Sequence, residues 1–89
     1  MYYVYILKSE KFDKFYIGQT NNIDNRLHRH NAGMETFTSM YRPWILIGYI
    51  TKETRSEAMA LESKLKNLNR ERLLAFIEKH MGFMSRDEA

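Results

Sequence analysis

Apolar positions in this chain change period along its length, and the changes mark its elements. "YYVYILK", residues 2–8, is dense in β-branched and aromatic residues, which predicts a strand. Ser9–Lys14 is polar and turn-like, and "FYIGQ", residues 15–19, is a second short apolar run. The two predict a β-hairpin with a longer loop. In "TNNIDNRLHRHNAG" the period lengthens to that of a helix near residues 22–32. Asn21 or Asn22 can cap its start, and Asp24 suits the positive end of the helix dipole. Ile23 and Leu27 share its buried face, with Gly33 as its stop. Glu35–Arg42 reads as a loop. Pro43 opens "WILIGYIT", a third strand over 44–51 that looks largely buried.

"TRSE" from Thr54 is a capping box closed by Glu57. Ala58, Leu61, Leu65 and Leu68 then form the stripe of a helix over 55–68. Asn69 interrupts it and caps a last helix over 70–80, whose shared face is Leu73, Phe76, Ile77 and His80. Residues 1–80 make one domain, and Met81–Ala89 reads as a fraying tail. The expected class is α/β (α+β), in the order ββαβαα. A three-stranded antiparallel sheet is flanked by three helices.

Composition narrows the function classes. The chain has 89 residues, 44% of them hydrophobic and 28% charged, and no cysteine. That describes one globular domain without disulfides or thiolate metal sites. A net charge of +3 permits an anionic partner without demanding one. Strand-like sequence from Tyr2 leaves no room for a signal peptide, and no apolar run approaches the roughly 20 residues of a membrane span. A cytoplasmic protein with no membrane role is expected.

Several residues could carry chemistry. Arg26 and His30 stand four apart on one side of the first helix, at the edge of its apolar stripe, where they could meet a phosphate. Pattern alone favours a solvated basic face. Glu62 falls between the directions of Ala58 and Leu65, at about 100° per residue. It could hold a hard cation together with substrate phosphates. Taken alone, a plain pair with Lys66 is the better explanation. Lys8 stands three residues after Tyr5 and would favour the phenolate if close. A strand-end lysine facing water is the common alternative. Trp44 and Tyr49 read as sheet packing, and His28 as solvated.

Tyr3-Val4-Tyr5, ten residues, then Tyr16-Ile17-Gly18 resembles the signature of the GIY-YIG nuclease superfamily. Arg26 and His30 match the arginine and histidine of its first helix, and Glu62 in "ALESKLK" matches its metal-binding glutamate. Lys8 matches a lysine found in some members. Tyr3 stands where the family name has glycine. The likeness spans Tyr3 to about Ile77 and is nearest the small stand-alone members.

The resemblance implies hydrolysis of phosphodiester bonds by a metal-dependent endonuclease. Its cofactor would be Mg²⁺ or Mn²⁺ and its partner nucleic acid, DNA in first place, at low sequence specificity. Tyr5 would help activate water, aided by Lys8 or the metal. Tyr16 would orient water or phosphate, Arg26 would stabilise the transition state, His30 would assist proton transfer and Glu62 would hold the metal. Arg29 and Lys64 would add phosphate contacts. A protein partner could supply targeting. The alternative is a non-catalytic nucleic-acid-binding or interaction module on the same scaffold.

Overall fold

A computed structural model describes residues 1–81. Strands β1 (Tyr2–Ser9), β2 (Phe15–Thr20) and β3 (Trp44–Lys52) form one antiparallel sheet in the order β2-β1-β3. Helices α1 (Ile23–Asn31) and α2 (Thr36–Ser39) separate β2 from β3, and α3 (Arg55–Lys66) and α4 (Arg70–Met81) follow. The three expected strands and three expected helices are all present.

Period-2 alternation sorts β1 between two helical layers. Val4 and Ile6 face α3 and α4, packing with Ile17, Ala58, Leu65, Leu73 and Met81. Tyr5 and Leu7 face the other way and pack with Trp44, Tyr16, Ile23 and Leu27. The central strand is thus buried on both faces: Val4, Ile6 and Leu7 are wholly covered and Tyr5 is 1% exposed.

The caps explain the helix limits. Asn22 accepts the backbone N–H of Asn25 to start α1, and Gly33, at φ +81°, follows its end. Thr54 and Glu57 close the capping box of α3. The Asn69 side chain accepts the N–H of Arg72 at the start of α4.

Three expectations are corrected. Glu35–Arg42 is not all loop, since Thr36–Ser39 makes the short α2, too brief to show a helical period. β3 is not largely buried: as an edge strand it covers Trp44 and Gly48 but leaves Ile45 and Tyr49 exposed. Met81 is not part of a tail. It ends α4 and is 2% exposed; the rest of the expected tail, 82–89, lies outside the described residues.

Candidate active site

The site begins at Gly18, the residue paired with Tyr5 across β1 and β2. The Tyr5 ring lies over this glycine. A methyl group there would sit 2.6 Å from the Tyr5 hydroxyl oxygen and 3.0 Å from Cε2 of Tyr16. A bare backbone is what lets the tyrosine hydroxyl reach toward the edge strand. There it meets His30 of α1, with 3.0 Å between the oxygen and Nε2. The Tyr16 and His30 rings are 4.8 Å apart at their centres, so the two tyrosines and the histidine form one cluster.

His30 is not at the edge of an exposed face, as its position in α1 had led us to expect. It is 1% exposed, because α2 folds back over the end of α1. Nδ1 of His30 lies 2.8 Å from Oγ1 of Thr38, whose hydroxyl reaches back to the Glu35 carbonyl at 3.5 Å. Thr38 is itself held by its own carbonyl, which accepts the indole N–H of Trp44 at 2.9 Å. With Nδ1–H donating to Thr38, Nε2 is left to accept the Tyr5 O–H. Thr38 is a member of the cluster that sequence reasoning missed. The only hint was its place in an aromatic-rich segment, "TFTSMY".

Electrostatics set the resting protonation. Burial pushes the Tyr5 hydroxyl well above its ordinary value, Tyr16 adds to this, and the nearby Arg26 guanidinium opposes both. Burial also lowers His30, helped by Arg26 and Arg29 and opposed by Glu35. Near neutral pH, Tyr5 is therefore a phenol and His30 a neutral imidazole.

Lys8 does not join the site. Its ammonium donates to the carbonyls of Ser9 and Phe12 and lies over the Phe15 ring, on the α3–α4 side of β1. It ties down the hairpin loop, and the cation acting on Tyr5 is Arg26 instead. Arg29 is paired with Glu35 at 3.1 Å, and Lys64 stands exposed on α3.

Glu62 comes from the other helical layer. It lies on α3, whereas Tyr5 faces α1, so the two approach only around the edge strand β2. Gln19 is the link. Its amide donates to Glu62 Oε1 at 3.2 Å, and it lines one cleft with Arg26. The second Glu62 oxygen takes Lys66 at 2.9 Å, so the simple i, i+4 pair is also present. No cluster of three metal-ligating side chains exists among the described residues. One half-buried carboxylate fits Mg²⁺ or Mn²⁺ only as a shared ligand, with water and substrate phosphate completing the shell. Gln19 carried no sequence signal beyond its place next to Gly18.

Comparison with known proteins identifies the family. Residues 1–75 match the GIY-YIG catalytic domain. A UPF0213 protein of Staphylococcus haemolyticus is 37% identical over 78 residues, covering 86% of this chain and 94% of the relative. One from Clostridium perfringens is also 37% identical over 78 residues, covering 86% and 83%. The solution NMR structure of a UPF0213 protein from Bacillus halodurans superposes with a TM-score of 0.61 at 28% identity, over 92% of this chain and 88% of that one. No helix among the described residues is long and apolar enough to cross a membrane. The chain therefore belongs to the GIY-YIG family, whose members are in general nucleases that act on nucleic acid with divalent metal ions.

Proposed function

We propose that this domain, residues 1–80, is a metal-dependent endonuclease that hydrolyses phosphodiester bonds in DNA or structured nucleic acid, with little sequence preference of its own. One observation carries the reading. The buried Tyr5 hydroxyl lies over Gly18 against His30, the Arg26 guanidinium is beside it, and Gln19, which shares a cleft with Arg26, reaches Glu62. An ordinary sheet tyrosine needs no such company.

Each residue then has a task. The Arg26 guanidinium holds the scissile phosphate and opposes the charge that builds on its oxygens. Tyr5 positions the attacking water. As the water oxygen bonds phosphorus, its proton passes to the Tyr5 oxygen while the Tyr5 proton moves to Nε2 of His30, and the ester bond breaks with its electron pair going to the leaving oxygen, which takes a proton from solvent. Tyr5 is neutral before and after, in keeping with its raised pKa, and His30 ends as the imidazolium. Tyr16 packs on His30 and keeps the ring in place. Glu62 would hold Mg²⁺ or Mn²⁺, which when bound supplies charge neutralisation at the phosphate and the leaving oxygen. To do so, Glu62 must give up its pair with Lys66.

The test is nicking of supercoiled plasmid and of branched DNA with Mg²⁺ or Mn²⁺, beside Glu62→Ala. Metal-dependent nicking by the native chain and none by the variant is expected. Equal nicking by both, or by neither on any nucleic acid tried, overturns the reading.

A further inference from the structure

Beside the proposed site, the cleft of about 340 Å³ that contains Arg26 and Gln19 holds a second guanidinium, Arg55, the first residue of α3. Its remaining walls are Tyr2, Thr20 and Asn21, so no carboxylate lines it. Neither arginine forms an ion pair among the described residues, although Arg29 and Arg70 each do. The chain has 11 acidic residues to spend on such pairs. Two guanidiniums sharing a polar cleft without a counter-charge repel each other until an anion joins them. Their planar forks match phosphate oxygens, and each can bind a separate phosphate.

We infer that Arg55 is a binding residue for a backbone phosphate next to the scissile one, so that the cut strand runs along the β2 edge from Arg26 to Arg55. This rests on the function proposed above, which gives the scissile phosphate to Arg26. Gln19 lines the same cleft as the two arginines. One of its amide N–H groups donates to Glu62, and among the described residues the only cationic groups lining the cleft are the two guanidiniums. The ligand class is a nucleic-acid backbone.

The experiment measures binding of a short fluorescent DNA duplex by anisotropy at several salt concentrations, for the native chain, Arg55→Gln and Arg55→Lys. Arg55 is exposed, and circular dichroism checks that each variant folds. Arg55→Gln should raise Kd about fivefold to tenfold at low salt, the loss of one charge-assisted contact. Its salt slope should be shallower by about 0.9. Arg55→Lys should keep the slope and recover part of the affinity. In cleavage assays the Arg55→Gln defect should lie in KM. On a branched DNA whose junction fixes the cut, a neutral methylphosphonate at the linkage beside it should weaken native binding as much as Arg55→Gln does, and weaken the variant no further. Native-like Kd and slope in Arg55→Gln, or no saturable native binding at low salt, overturns the inference. If the native chain binds with the predicted slopes but never cleaves, the nuclease reading fails while Arg55 stands. If Glu62→Ala abolishes cleavage and Arg55→Gln binds normally, only Arg55 fails.

Discussion

At Gly18 the absence of one methyl group decides whether the Tyr5 hydroxyl can sit where it does. Gly18→Ala would drive a Cβ to within 2.6 Å of that oxygen, and Tyr5 is too buried to swing aside freely. Overpacking of this kind should cost about 1–3 kcal/mol in thermal unfolding, and cleavage should fall further than stability explains. A variant with native stability and native cleavage would show that the ring does not depend on the gap. The proton path gives a second prediction. His30 accepts a proton only when neutral, and its folded pKa is lowered, so cleavage should rise with pH below 6.5 and level off above it. A Tyr5 phenolate acting directly as base would instead give a rate still climbing beyond pH 9 or so, toward the tyrosine range. Stability follows the same sign. Unfolded His30 binds a proton near pH 6.5 and folded His30 resists it, so stability is full above 6.5 and is lost as pH falls through the lowered value.

Among the elements, α2 shows where reading the sequence stopped. The hairpin, α1, α3 and α4 were legible because each carries a repeating apolar period or a capping signal over many residues. α2 has four residues, no side-chain cap and no stripe, so nothing local announces it. It exists through tertiary contacts: Trp44 bonds the Thr38 carbonyl, and Ser9 donates to the Tyr41 carbonyl at 2.7 Å. Burial of His30 was hidden for the same reason. The proposed site residues Tyr5, Tyr16, Arg26 and Glu62 were recognisable from their order and spacing, but Thr38, Gln19 and the proposed Arg55 come in only through packing. Lys8 misled because spacing from Tyr5 along a strand says nothing about facing it; three residues on, the side chain points to the other layer. Thr38→Val tests the role of α2. It removes the acceptor for Nδ1–H in a buried setting, at a cost of about 1–3 kcal/mol. In ¹⁵N NMR the His30 tautomer should shift, and Thr38→Ser should restore it. An unchanged tautomer in Thr38→Val would mean that Thr38 does not orient the ring.

Considered whole, the molecule is a three-layer sandwich whose edge strand β2 stays open between the two helical layers. The proposed site lies on that edge, and its parts come from both sides. This accounts for the separation of Arg26 and Glu62 by 36 residues in a chain of 89. With 14 basic residues against 11 acidic ones, no broad positive field adds to the few phosphate contacts. DNA binding by the isolated domain should be weak, with a salt slope of about −0.9 for each phosphate contact. Titration of labelled duplex at two salt concentrations measures it. Tight, sequence-selective binding near physiological salt would mean that base-reading contacts exist elsewhere in the chain. In the proposed account, targeting falls to a protein partner or to the shape of the substrate.

The central claim is that Tyr5 on one layer and Glu62 on the other serve a single chemical step across β2. A double-mutant cycle tests it most directly: single-turnover cleavage of DNA by the native chain, Tyr5→Phe, Glu62→Ala and the combined variant, with Mg²⁺ or Mn²⁺. Tyr5→Phe should slow the rate by about 10²–10⁴. Glu62→Ala should slow it at least as much, and the combined variant should be about as slow as the worse of the two. If Glu62→Ala cleaves at the native rate, or the two losses simply multiply, the two layers do not form one site.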